Sequence, residues 1–413
     1  MHTDARQLDN NTIIEGDICI VGAGAAGISI ALEWMNTKYK VILLEGGGFE
    51  YDDKMQDLYA GKTTGQHYFP LKSVRLHYFG GTTGHWAGWC SPFDQVDFKE
   101  RDWVPHSGWP IKREDMDPFY ARTQRILDLG PYEYGLDYWK AQDPEIKPLP
   151  LNEEIVWNKM WQFSPPTRFN QKYKDVIVNA HNIHLYTYAN VTNIAANENV
   201  SSITQLIIKN FEGKQHTVKA KYFIIACCAV QNARLLLASN EQSPKGLGND
   251  NDNVGRYFME HIEIKASELW LANPASVKLY MWQQGVKARA ELAISEKMQQ
   301  QHKILNGTAS LIPLELARNQ QSFIETWSED EAENKRTMSG YGSKKADLKI
   351  PSDFNAFQLF TRIEQAPNPN SRITLGTEKD ALGVPRASGR PCAPSASTDK
   401  FGRRLLLDHT IFN

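Results

Sequence analysis

Asp17-Ile18-Cys19-Ile20-Val21-Gly22-Ala23-Gly24-Ala25-Ala26-Gly27 is a short apolar run that breaks into a glycine turn. An apolar run of this length bounded by turn residues reads as a parallel strand buried on both faces. Gly22 then permits the tight turn, Gly24 lets a ligand's pyrophosphate approach the backbone, and Gly27 lets the next helix sit close to the sheet. That helix is expected from Ala25 to about Asn36, with Ala25 and Ala26 in its first turn. Its free N–H groups and positive dipole end suit phosphate. A second strand, Lys40 to Leu44, ends at Glu45, which stands 23 residues after Gly22. The acid that accepts from the adenosine ribose hydroxyls is expected roughly 20 residues on. Glu45 also disfavours a ribose carrying a 2′-phosphate, because two anions would face each other.

Composition sets wide bounds. At 413 residues the chain has length for two domains, and a net charge of −2 gives no case for nucleic acid. No apolar stretch is long enough to span a membrane, and residues 1–16 do not read as a signal peptide. Five cysteines without a C-x-x-C pair fit a reduced, cytoplasmic chain. Cys227-Cys228 is too small a set for an iron–sulfur cluster and reads as small buried residues in a strand. No metal site is expected. Glu325 to Lys349 reads as a solvated, charged loop or lid.

Further strands are expected at Thr187 to Ile194, Ile203 to Ile208 and Thr217 to Cys227, followed by a helix from Gln231 to Ser239. The predicted fold is α/β, a Rossmann-like dinucleotide domain with a second α+β domain inserted in pieces. The first domain is assigned residues 10–104 and 181–264, the second 105–180 and 265–387, with 388–413 an atypical tail.

Gly80-Gly81-Thr82-Thr83-Gly84-His85-Trp86 follows the dinucleotide elements and offers a backbone that a ligand can approach closely. With Ser107-Gly108-Trp109-Pro110-Ile111, Asn232-Ala233-Arg234-Leu235-Leu236, Asn253-Val254-Gly255-Arg256-Tyr257-Phe258-Met259-Glu260-His261 and Asn368-Pro369-Asn370-Ser371-Arg372-Ile373, it makes the chain similar to a known family. The chain resembles the glucose–methanol–choline (GMC) FAD-dependent oxidoreductases. The likeness is strongest to the sugar-oxidising branch, which includes pyranose 2-oxidase and the large subunits of bacterial fructose and gluconate dehydrogenases.

The resemblance implies an enzyme that oxidises CH–OH groups of sugars or polyols, with hydride passed to the flavin N5. It implies FAD contacts from Gly22, Gly24, Ala25, Ala26, Gly27, Glu45, Gly46, Arg75, Gly81, Thr82, Thr83, His85, Trp86, Val191 and Ala226. His85 is a candidate for a covalent bond to the flavin, the alternative being a histidine that only packs. A small escort subunit and a cytochrome or quinone acceptor are implied partners, and export to the periplasm with such a subunit is compatible with the family. The family's histidine base lies in a C-terminal segment, whereas this chain ends 40 residues after Ile373. The expectation is therefore of a truncated or frame-disrupted chain with no catalytic residue assigned, His409 standing without the motif and His261 reading as structural. The alternative to an active enzyme is a silent flavin-binding protein.

Overall fold

The computed structural model describes residues 1–66, 68–276, 278–280, 288–314 and 353–392. The predicted lid at 325–349, the tail from 393 onward and His409 lie outside the described residues. The chain forms two compact units. The first comprises Met1–Trp86, Thr167–Phe258 and Asn368–Ala393, and the second includes Ala87–Pro166 and Met259–Pro367.

The first unit is built on a five-stranded, wholly parallel sheet. Its order is β1 (His2–Asp4), β8 (Ile183–Thr187), β4 (Val41–Leu44), β3 (Ile18–Val21) and β12 (Tyr222–Ile225). Every side chain of β3 and β4 is buried, as a parallel strand covered on both faces requires. Helix α1 (Ala25–Trp34) follows β3 and buries Gly27, Ile28 and Ala31. It stops at Met35, and Asn36 turns away at φ 64°. A four-stranded sheet joins β2 (Ile13–Glu15), β11 (Gln215–Lys219), β10 (Ile203–Lys209) and β9 (Asn190–Ala196). A three-stranded sheet joins β17 (Arg372–Lys379), β18 (Pro385–Arg390) and β5 (Gly61–Thr63). Leu206, Ile208 and Val218 of the four-stranded sheet share a core with Val21, Ile42 and Leu44.

The second unit centres on an antiparallel sheet ordered β13 (Ile262–Ser276), β16 (Asp353–Ile363), β15 (Gly307–Pro313), β14 (Ala288–Ile294), β7 (Val156–Phe163) and β6 (Trp89–Cys90). Met160, Ala290, Leu292, Leu311 and Leu359 enter its core with Tyr280 and Phe357.

Several boundaries differ from the sequence reading, each for a physical reason. The first unit begins at Met1 and not at residue 10, because β1 pairs with β8. Residues 87–104 fall in the second unit because β6 pairs with β7. The run Thr187 to Ile194 is parts of two strands, since Tyr188 takes φ 53° and breaks the ladder. Thr217 to Cys227 likewise splits into β11 and β12, which join different sheets. Residues 388–390 complete β18, paired to β17 and β5, so the ladder runs past the expected start of the tail. The segments around 253–258 and 368–373 meet in the first unit. Phe258 N donates to Ser371 O (2.9 Å), and Asp252 Oδ1 accepts from Arg372 Nη2 (2.7 Å) while pairing also with Arg256. That carboxylate is held well below its ordinary pKa by the two guanidiniums.

Candidate cofactor site

Gly22 adopts φ +98°, and a Cβ there would lie 2.7 Å from the Ala226 carbonyl. A Cβ on Gly27 would run into the Gly22 carbonyl. Gly24 differs: a Cβ built on it meets nothing within 4 Å. The turn is thus closed on its protein side and open at Gly24. Ala25 and Ala26, the first residues of α1, are exposed, and the helix has no side-chain cap. Their free N–H groups face outward from an uncapped dipole end.

Glu45 directly follows β4 and is buried. Its Oε2 accepts from Ala23 N at 3.0 Å and its Oε1 from Gly47 N at 2.9 Å. A carboxylate has about four acceptor directions, so acceptor capacity remains for a ligand. Burial pushes its pKa up, against the pull of those backbone donors. Glu45 lines a pocket with Val21, Gly22, Gly46, Val191 and Cys227. The same pocket is also lined by Tyr59, His77, Asn190, Gln231, Arg234 and Asp380, which sequence reasoning missed. Tyr59 stacks on His77 with centroids 4.2 Å apart, and Arg234 Nη2 reaches Asp380 Oδ2 at 2.6 Å. Only Arg234 carried a visible signal, as part of Asn232-Ala233-Arg234-Leu235-Leu236. Arg75, also predicted at the site, is buried and donates from Nη2 to Tyr59 O at 3.1 Å.

The second glycine loop is seated on the first. Gly80 N donates to Ala23 O at 2.8 Å, and a Cβ on Gly81 would lie 3.1 Å from Gly24 Cα. Gly80 and Gly81 both take positive φ, 94° and 54°, which glycine alone adopts freely. Thr83 pins the turn: its hydroxyl donates to Gly80 O (2.7 Å) and accepts from Phe169 N (3.1 Å). Trp86 Nε1 donates to Thr167 O (3.0 Å). Arg168 straps the loop by donating to Thr83 O (2.7 Å) and Trp86 O (3.0 Å). Thr82 and His85 stay exposed. Crowding by surrounding chain and the Arg168 guanidinium lower the His85 pKa.

A family model described as FAD dependent oxidoreductase (DAO) matches residues 17–246, over half of the chain. The chain belongs to the FAD-dependent oxidoreductases. It is 24% identical over 308 residues to 2-methyl-1,2-propanediol dehydrogenase of Mycolicibacterium austroafricanum, covering 60% of this chain and 55% of that one. It thus spans only about half the length of that relative. It is 23% identical to the fructose dehydrogenase large subunit of Gluconobacter japonicus, with 91% of this chain and 79% of that one covered. Pyridoxine 4-oxidase from Mesorbium loti is a structural neighbour at TM-score 0.49 and 14% identity, covering 95% and 81%. The residues present fit FAD: open space above Gly24, uncapped amides on α1, and spare acceptor capacity on a buried Glu45. Among the described residues no cluster suits a metal ion, and no helix is long and apolar enough to cross a membrane.

One expectation for this oxidoreductase needs correction. Cys227 and Cys228 are not strand residues, because β12 ends at Ile225. Cys227 is the N-cap of the helix Cys228–Ala238, its Sγ donating to Val21 O at 3.1 Å. Cys228 is exposed at φ +70°. A left-handed non-glycine residue costs about 1–2 kcal/mol, and glycine's extra chain entropy returns roughly 0.5–1 of that. Cys228→Gly is therefore expected to stabilise the apo-protein by up to about 1 kcal/mol, read as a raised Tm; an unchanged or lowered Tm would contradict the strain argument. His261, in the second unit, pairs with Glu263 at 3.3 Å, and Glu263 is braced by Arg362 at 2.8 Å.

Proposed function

We propose that this chain is a GMC-type oxidoreductase whose FAD accepts hydride at N5 from a CH–OH group of a sugar or polyol. The observation that carries the reading is the seating of the Gly80–Trp86 loop on the Gly22–Gly27 turn through Gly80 N and Ala23 O. A phosphate-binding turn and a second backbone-lined loop on one unit suit a long, two-part cofactor. The alcohol-oxidising names of the two sequence relatives support the substrate class. In this reading the first unit is the FAD-binding domain and the second the substrate-binding domain. The name of the fructose dehydrogenase relative, a large subunit, supports a partner subunit.

Each predicted residue then has a task. Gly22, Gly24, Ala25, Ala26 and Gly27 present backbone to the phosphates, and Glu45 accepts from the ribose hydroxyls. Gly46, Val191 and Ala226 border the adenosine end, while Arg75 supplies positive charge. Gly81, Thr82, Thr83, His85 and Trp86 form the isoalloxazine loop, with Thr83 and Trp86 acting through the loop's shape. His85 is the attachment point, since a lowered pKa keeps an imidazole lone pair available at neutral pH. No catalytic residue is assigned among the described residues.

Reconstitution with FAD tests the reading in three steps. No flavin absorbance after excess FAD would sink it entirely. Protein precipitated with acid is expected to stay fluorescent, and His85→Ala to release its flavin; complete release from the unmodified chain would remove the covalent bond. Dye-linked or oxygen-linked oxidation is then measured across aldoses, ketoses and polyols. Flavin-loaded protein silent on all of them would defeat the substrate assignment.

A further inference from the structure

β1 is an edge strand of three residues, held to β8 by a short parallel ladder and by its side chains. Thr3 Oγ1 lies 2.8 Å from His184 Nε2, and His2 Nε2 lies 3.0 Å from Thr187 Oγ1. Two lines of contact run from β1 to the loops of the cofactor site. In the first, the His2 ring packs on Phe49 with centroids 4.9 Å apart, and Phe49 packs on Phe79 at 5.5 Å. Phe79 N donates to Gly48 O (2.9 Å), directly before Gly80. In the second, Asp4 pairs with Arg6 at 2.6 Å, and the Arg6 guanidinium carbon stands 3.5 Å from the centroid of the Tyr188 ring. Tyr188 N donates to Gly47 O (3.0 Å), and the Tyr188 hydroxyl stands where a Cβ on Gly48 would fall. Gly47 N is itself a donor to Glu45. The strand thus supports the turn 46–48 from outside the pocket.

His184, half-buried on β8, stacks on Tyr186 with centroids 4.3 Å apart. Among the described residues, the charged groups that bear on its proton are all positive: the Met1 amino group, Lys40 and, once protonated, His2. The Met1 amino group donates to Ala180 O (3.1 Å) and Ile183 O (2.9 Å). The helix Lys174–Val178, also packed on β8, carries Lys174 and Asp175, and Lys174 bears on His2. Asp4 is the acid that favours a proton on His2. Burial, ahead of these charges, takes the His184 pKa down to about 4. We propose that β1 is an acid-released brace of the cofactor site: a proton on His184 sets a charge against Met1 and His2, drives the strand off β8 and leaves the turn 46–48 unsupported. This inference rests on the FAD reading and adds a regulation to it. The sign follows from linkage. With β1 released, His184 titrates near its ordinary 6.5, so the braced state is fully favoured above that pH and loses ground as pH falls towards 4. Between pH 7.5 and 5 the ratio of braced to released strand drops roughly thirtyfold for His184 alone.

The test compares the full chain with His184→Gln, which keeps a hydrogen-bonding partner for Thr3 but takes no proton. Hydrogen exchange of the Leu185 amide, a donor to Met1 O, is followed in the apo-protein at pH 7.5 and pH 5, corrected for intrinsic rates. Dissociation constants for FAD are measured at the same two pH values. In the unmodified chain, protection of that amide is expected to fall at least about tenfold in acid. His184→Gln should keep its protection at pH 5 and match the unmodified chain at pH 7.5. Glu45, whose pKa is raised by burial, weakens FAD binding in acid in both chains, so the two acid losses are compared. The loss in the unmodified chain should be larger by at least about threefold. Lys40→Met, a surface change that removes one repelling charge, should blunt the same response and serves if His184→Gln fails to fold. Equal acid losses in the two chains would overturn the inference, as would a β1 that stays protected at pH 5. Lost protection with no extra loss of FAD would overturn its link to the cofactor. Failure of the unmodified chain to bind FAD at pH 7.5 would overturn the FAD reading and the regulation with it, while exchange still decides the release itself.

Discussion

Gly24→Val is expected to lose at least about a hundredfold in FAD affinity while its apo-protein folds much as before. The two halves of this result have separate causes. A side chain on Gly24 meets no protein atom within 4 Å, and the residue's φ of −84° suits valine. The apo-protein gives up only the difference between glycine and valine as N-cap, about 1 kcal/mol. The empty space is where pyrophosphate must approach the α1 amides, and two methyl groups there push it out of hydrogen-bond reach. Gly22→Val is the control with the opposite signature. Its φ of +98° and the Ala226 carbonyl 2.7 Å away strain the apo fold itself. Flavin fluorescence titration and thermal unfolding of both variants separate the outcomes. Near-normal FAD binding by Gly24→Val would show that the open face of the turn is not the phosphate site.

Asp380→Ala is expected to cost about 3–5 kcal/mol, the usual penalty for stripping a partner from a buried ion pair. The side chains of Arg234 and Asp380 are 5% and 3% exposed. Arg234 also donates to Leu58 O (3.0 Å), Pro385 O (2.7 Å) and Val384 O (3.1 Å), so it ties the Leu58 segment and the Val384–Pro385 segment to its own helix. Removing Asp380 strands that guanidinium next to Arg75, whose charge already lowers the Arg234 pKa alongside burial. It also frees the Leu382 and Val384 amides that shape the β17–β18 turn. Asp380→Asn, which keeps an acceptor for those amides, should lose less. Urea unfolding distinguishes them; a loss below about 1 kcal/mol for the alanine variant would mean that solvent reaches the pair.

The sequence made the parallel sheet and its glycine turn legible because burial on both faces leaves an apolar run with sharp glycine punctuation. Strand breaks inside β-rich stretches left no such mark. Tyr188 turns the chain at φ 53° without being a residue that announces a left-handed turn. Between β11 and β12, Ala220 and Lys221 continue the alternation while the chain changes sheets. The edge strand β1 is polar and was invisible as a strand. The loops of the cofactor site were readable as motifs, since close backbone approach demands glycine. The pocket wall was not: Tyr59, His77, Arg234 and Asp380 are distant in sequence, and polar residues acquire meaning only once the fold pairs them. Arg168, the strap on the second loop, follows no local pattern at all.

The pairing of β5 with β18 has a consequence for biogenesis. Arg386 bonds the Asp57 carbonyl across 329 residues, and Ala387 lies opposite Gly61 in the ladder. During synthesis the early half of the nucleotide pocket therefore leaves the ribosome long before its last wall. Leu71 and Val230 wait for Ile373 and Ala387 to cover them, apolar surface held open for most of translation. Such late closure leaves that surface open to non-native contacts while the chain is made, and it puts completion of the nucleotide pocket near the end of synthesis.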